Sequence, residues 1–212
     1  MSGPLALDAL DLAALLCSRV CHDLISPTGA IVNGIEVLED DADAEMRTFA
    51  LDLIKKSART ASARLQFCRI AFGAAGSAGA QIDLRDAEGM ARGFIEDDKT
   101  KLSWNLPPAL LPKNRVKLLL NMLVVATSTI PRGGTLTVDA QGEGESMGFR
   151  VTASGINARI PQTLPSLIDG APGNGTVDAQ GIQPFYTGLL AKACGLSVDL
   201  ALAGDEVTVA TR

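Results

Sequence analysis

Two long segments with helical periodicity, separated by an acidic break, constrain this chain most. Over residues 7–39, Leu16, Val20, Leu24, Pro27, Ile31, Ile35 and Leu38 recur at steps of three and four. That spacing lines one face of an α-helix. Asp40-Asp41-Ala42-Asp43 interrupts the pattern as a turn, and Asp43 suits an N-cap. A second helix is predicted over 44–72, with Phe49, Leu53, Ala61, Leu65 and Phe67 or Cys68 on its apolar side. Two long helices joined by a short polar turn make an antiparallel hairpin. Such a hairpin cannot cover both of its apolar faces alone, so the pattern predicts a four-helix bundle made by two chains, a homodimer.

The composition then shifts. Residues 73–80 are all Gly, Ala or Ser and read as a linker. Beyond it the pattern is mixed: helix over 86–97, strand over 101–106, amphipathic helix over 112–130, strands over 135–141 and 148–153 joined by a turn at 142–145. A loop-rich stretch over 157–176 follows, then a helix over 184–194 closed by Gly195, and a terminal hairpin over 196–202 and 206–211. Helices on one face of a mostly antiparallel sheet form a two-layer α/β sandwich. The chain is therefore read as α+β, with a helical hairpin domain at 1–75 and an α/β domain at 76–212.

Composition excludes several classes. A net charge of −5 argues against a general nucleic-acid binder. No apolar run reaches the roughly 18 residues that span a bilayer, and the start lacks the charged and apolar regions of a secretory signal. The four cysteines, Cys17, Cys21, Cys68 and Cys194, show no CxxC spacing and read as reduced thiols, with Cys17 and Cys21 as small buried hydrophobes. A cytoplasmic protein is expected.

The chain has one histidine, His22. On an ideal helical wheel it points roughly 170° from the centre of the apolar stripe, toward solvent. Arg19, Ser26, Gly29 and Asn33 share that side, and the small Ser26 and Gly29 leave room for another surface. Asp23 follows directly, and a carboxylate beside an imidazole holds one ring N–H and raises the basicity of the other nitrogen. Pro27 withholds the amide that would bond to the Asp23 carbonyl and should bend the helix. The plain alternative is an ordinary surface histidine. A metal site with Cys17 and Cys21 is disfavoured, because His22 points away from them and no fourth ligand is evident.

His22-Asp23-Leu24-Ile25-Ser26-Pro27 resembles the H-box of histidine kinases, in which the histidine carries a phosphoryl group. The hairpin resembles their dimerisation and histidine-phosphotransfer domain. The second domain resembles their ATP-binding (Bergerat) fold, with residues 116–123 as the N-box helix and 181–195 as the helix after the second glycine box. The departures matter. Where kinases carry Asp-x-Gly-x-Gly to read adenine, this chain has Thr152-Ala153-Ser154-Gly155-Ile156-Asn157. Asn121 is the single polar N-box residue, with Val125 and Ala126 at later polar positions, and residues 171–175 lack a phosphate-binding pattern.

An intact H-box on a degenerate kinase body, with the continuation at residues 33–38, resembles the ChpT-type histidine phosphotransferases of alphaproteobacteria. That resemblance implies a homodimeric relay. His22 would take a phosphoryl group from the receiver of a CckA-like hybrid kinase and pass it to CtrA-like and CpdR-like response regulators. It implies His22 and Asp23 as catalytic residues, and Arg19, Ser26, Asn33 and Arg59 as partner contacts. Arg64 is a further candidate contact, although Lys55, Lys56, Arg59 and Arg64 also read as a solvated basic face. No cofactor and no metal are expected on this chain. ATP binding is not expected, and Mg²⁺ belongs to the partner receiver. The competing readings are an ATP-using histidine kinase and a non-catalytic module that binds a kinase.

Overall fold

The structure is a computed structural model of the 212-residue chain, and it describes residues 5–40, 43–73, 80–143, 147–173 and 175–212. Helix α1 spans Ala9–Glu39 and α2 spans Ala44–Ala71. Asp8 starts α1 by accepting from the Leu10 and Asp11 amides, and Asp43 starts α2 by accepting from Met46, as its position in the sequence predicts. Asp41 and Ala42 of the predicted turn, residues 74–79 of the predicted linker and residues 144–145 of the predicted strand turn lie outside the described residues.

The α/β region follows as β1 (Gln81–Asp83), α3 (Leu84–Ile95), β2 (Thr100–Trp104), β3 (Leu110–Pro112), α4 (Lys113–Thr129), β4 (Gly134–Gln141), β5 (Gly148–Ser154), α5 (Leu164–Ile168), α6 (Ile182–Ala193), β6 (Val198–Ala203) and β7 (Glu206–Thr211). The main sheet has the order β2-β4-β5-β7-β6. Only β2 and β4 run parallel, connected through α4, and the remaining pairs are antiparallel. β1 and β3 form a separate small antiparallel sheet that sequence patterning does not indicate. Each is three residues long, too short for a period of two to register. The α+β class stands.

Three expectations are corrected. Helix α4 is not amphipathic in place: Val116 through Ala126 are all buried, because it is sandwiched between the sheet and the α3, α6 and α2 helices. The hairpin's closest approach is through small residues, and the predicted apolar stripe is only partly inward: Pro27, Phe67 and Cys68 are buried, Leu24, Ile31 and Leu53 half-buried, and Ile35, Phe49 and Leu65 exposed. The buried positions are Asp23, Pro27 and Gly34 on α1 and Ala50, Ser57, Phe67, Cys68 and Ala71 on α2. Gly34 explains the choice, since a Cβ there would lie 2.6 Å from Ile54 Cγ1 and 3.2 Å from the Ala50 carbonyl. Cys17 and Cys21 are exposed, not buried.

The two regions share one core. Phe67 and Ala71 of α2 are fully buried with Leu84, Ala87, Leu118 and Met122 of the α/β region, and Phe67 stacks on Phe94 with ring centroids 4.0 Å apart. Lys117 Nζ donates to the Gly73 carbonyl at 2.9 Å. A division at residue 75 therefore follows the chain but not the packing.

Candidate functional site

The site is built on one turn of α1. The His22 side chain is 83% exposed, on the side the wheel assigns to it. Ser26, Gly29 and Asn33 follow it along that exposed face, and Arg59 is exposed on α2. Arg19 departs from the reading of a free exposed contact: its side chain is 23% exposed, and its Nε donates to Asp23 Oδ2 at 3.1 Å. The i,i+4 spacing of Arg19 and Asp23 carries that signal in the sequence.

Asp23 is buried beneath the histidine. Its Oδ1 lies 3.6 Å from His22 Nδ1, longer than a hydrogen bond and close enough to orient the ring electrostatically. This leaves Nε2 as the outward nitrogen. The Asp23 carboxylate is thus shared, Oδ2 toward Arg19 and Oδ1 toward His22.

Helix α1 runs through Pro27 without interruption. Arg64, half-buried, turns inward from α2 and donates Nη1 to the Asp23 carbonyl. It belongs neither to a solvated face nor to an outward contact surface. No sequence pattern pairs two residues 41 positions apart. Burial and the nearby Asp23 carboxylate push the Cys68 thiol up to about 11, so it stays protonated and takes no part as a thiolate.

A second feature is a cleft of about 1080 Å³ running from Arg19 on α1 past Val124 and Ser128 on α4 to Gln183 on α6. Arg19 is the one cationic side chain among its described lining residues, and Asp97 and Asp178 face it with the opposite charge. Asp178 is committed to the Gln180 and Gly181 amides. Asn121 does not line the cleft. It is fully buried, its Nδ2 donating to the Ala71 and Lys117 carbonyls and its Oδ1 accepting from Gln183 Nε2. In the loop that stands where an adenine-reading motif would be, Gly155 serves packing: a Cβ there would lie 2.4 Å from the Gly133 carbonyl. Among the described residues, no group of three or more His, Cys, Asp or Glu side chains could hold a metal ion. Nor is any described helix long and apolar enough to cross a membrane.

The hairpin thus carries a solvent-facing histidine with a buried carboxylate beneath it and is fused to a mixed-sheet domain, and by family the chain is a histidine phosphotransferase. The family model for the histidine phosphotransferase C-terminal domain matches residues 84–206, and the chain belongs to that family. It is 49% identical over 207 residues to the protein phosphotransferase ChpT of Brucella abortus (strain 2308), covering 98% of both chains. A solved bacterial phosphotransferase superimposes on it with a TM-score of 0.88 and 46% identity, covering 100% of both chains.

Proposed function

We propose that His22 is the phosphoryl carrier of a multistep relay. His22 Nε2 attacks the phosphorus of an aspartyl phosphate on a donor receiver domain. The P–N bond forms as the bond between phosphorus and the aspartyl oxygen breaks, and the donor leaves with a free carboxylate. An acceptor receiver's aspartate then attacks the same phosphorus and releases His22. The Nδ1 proton stays on the ring, and Asp23 Oδ1 offsets the positive charge the phosphorylated imidazole carries. The receivers supply Mg²⁺, so this chain contributes position and electrostatics. Exposed His22 above buried Asp23 is the observation that carries the reading.

The donor is read as a CckA-like hybrid kinase receiver, and the acceptors as CtrA-like and CpdR-like response regulators. Arg59, Ser26 and Asn33 lie on exposed surface open to such partners. A homodimer is supported by the large apolar side chains left exposed on the hairpin: Ile25, Val32, Ile35, Met46, Phe49 and Leu51. The chain acts without ATP. Asn121, the one N-box polar residue that survives, is spent on Ala71 and Gln183, and a triphosphate in the cleft would find one arginine against two carboxylates.

The test is phosphotransfer profiling against a panel of phosphorylated receiver domains. Wild type becomes labelled at His22 and passes the label on, whereas His22→Ala stays folded and unlabelled. Labelling of the His22→Ala chain refutes the reading, and so does labelling of His22 from ATP and Mg²⁺ without a donor.

A further inference from the structure

We propose that Arg64 is a positioning residue for phosphoryl transfer at His22. From α2 it supplies the hydrogen-bond donor that Pro27 withholds from the Asp23 carbonyl, and so fixes the turn of α1 that carries the histidine. The inference rests on the relay reading above and goes beyond it.

In an α-helix the amide of residue 27 bonds to the carbonyl of residue 23. Proline has no amide proton, so that acceptor is orphaned one residue from His22. Asp23 is only 9% exposed, which limits how far water can take the place of the missing donor. Arg64 Nη1 takes it instead. The other end of the same residue is also held by an arginine, with Arg19 Nε on Oδ2 at 3.1 Å. Asp23 is thereby gripped at its backbone from α2 and at its carboxylate from α1, and the free Oδ1 is what faces His22 Nδ1. Of these two grips, only the one from Arg64 crosses between helices. It ties the orientation of the reactive turn to the position of α2.

Transfer between aspartate and histidine depends on in-line placement, and a misplacement of about 1 Å can cost on the order of a hundred-fold in rate. Losing Arg64 should therefore slow the bond-making step more than it weakens receiver docking. It should matter only while residue 27 is proline, because an alanine amide at 27 would give the Asp23 carbonyl its intrahelical donor back.

The experiment is a double-mutant cycle of Arg64→Met and Pro27→Ala in the full chain, using a receiver domain that wild type is shown to use. Single-turnover transfer is followed against receiver concentration, and thermal midpoints are recorded for all four proteins. Arg64→Met is expected to lower the saturating rate constant roughly ten-fold or more, with the half-saturating receiver concentration changed less than about three-fold. In the Pro27→Ala background the same substitution should cost less than about two-fold. Should Pro27→Ala itself silence transfer, the coupling is read in the midpoints: Arg64→Met lowers the midpoint in the proline background and leaves it unchanged in the alanine background. An undiminished rate in Arg64→Met overturns the inference, as does an equal cost in both backgrounds or a change confined to the half-saturating concentration. Failure of wild type to accept label from any receiver would sink the relay reading itself, a result distinct from these.

Discussion

The Gln183 side-chain amide donates to Asn121 Oδ1 at 2.6 Å, in an interior where Asn121 has no exposed surface. Through its own amide Asn121 also reaches the last turn of α2 at Ala71. One side chain thus joins α2, α4 and α6. Replacing it with leucine leaves the Gln183 amide and the Ala71 carbonyl unpaired in the interior, each worth about 1–3 kcal/mol. Asn121→Leu should lower unfolding free energy in urea by roughly 2–4 kcal/mol, and ATP titration should show no binding before or after. A loss within about 0.5 kcal/mol would mean that the network holds nothing together.

The hairpin's closeness depends on Gly34. A Cβ there meets Ile54 at 2.6 Å and backbone at Ala50 at 3.2 Å. Overpacking of this kind costs about 1–3 kcal/mol, so Gly34→Val should lower the thermal midpoint and separate α1 from α2. Gly29 is the internal control on the same helix, because a Cβ there meets nothing within 4 Å. Gly29→Ala should raise stability by up to about 1 kcal/mol through helix propensity alone. Equal midpoints for the two variants would refute the distinction.

The five longer helices, the Asp43 cap, the terminal hairpin and the exposed side of His22 were legible in the sequence, because each rests on local spacing, whereas the five-residue α5 at Leu164–Ile168 lies in the stretch read as loop. What was not legible depends on residues far apart in the chain. Phe49 and Leu65 fit the apolar stripe of α2 but face outward, since the closest approach is set by Gly34 against Ala50 and Ile54. Arg64 reads as part of a basic face, and only the fold sets it beside the carbonyl that Pro27 leaves open. Asn121 was visible as a lone polar residue, but its diversion to Ala71 and Gln183 required α2 to end in the core of the second domain.

Cys68 gives a pH dependence of known sign. Burial, with the Asp23 carboxylate adding to it, raises its folded value from 9.0 to about 11. A raised folded value means the stabilisation is whole below pH 9 and is lost as pH rises from 9 toward 11. Two units correspond to about 2–3 kcal/mol. Urea unfolding of wild type and Cys68→Ala should therefore converge by about that amount over this window, after a constant offset for lost packing. A stability difference that stays flat from pH 8 to pH 11.5 would contradict the burial argument.

The outward apolar face of the hairpin bears on assembly. Ile25 is 69% exposed and Phe49 64%, with Val32, Ile35, Met46 and Leu51 exposed on the same pair of helices. The fully buried own-chain contacts are Pro27, Gly34, Ala50 and Ser57 instead, and these larger residues keep 43–69% of their surface open in a single chain. Burying what remains exposed of each against a second copy is worth about 1 kcal/mol or a little more. Sedimentation equilibrium at micromolar concentration should return twice the chain mass of 22.0 kDa for wild type. The doubly charged variant Ile35→Glu with Phe49→Glu should return a monomer of unchanged helix content, since neither side chain is among the buried positions of the hairpin. A wild-type monomer would remove the dimer, and a variant that remains dimeric would place the interface on another surface.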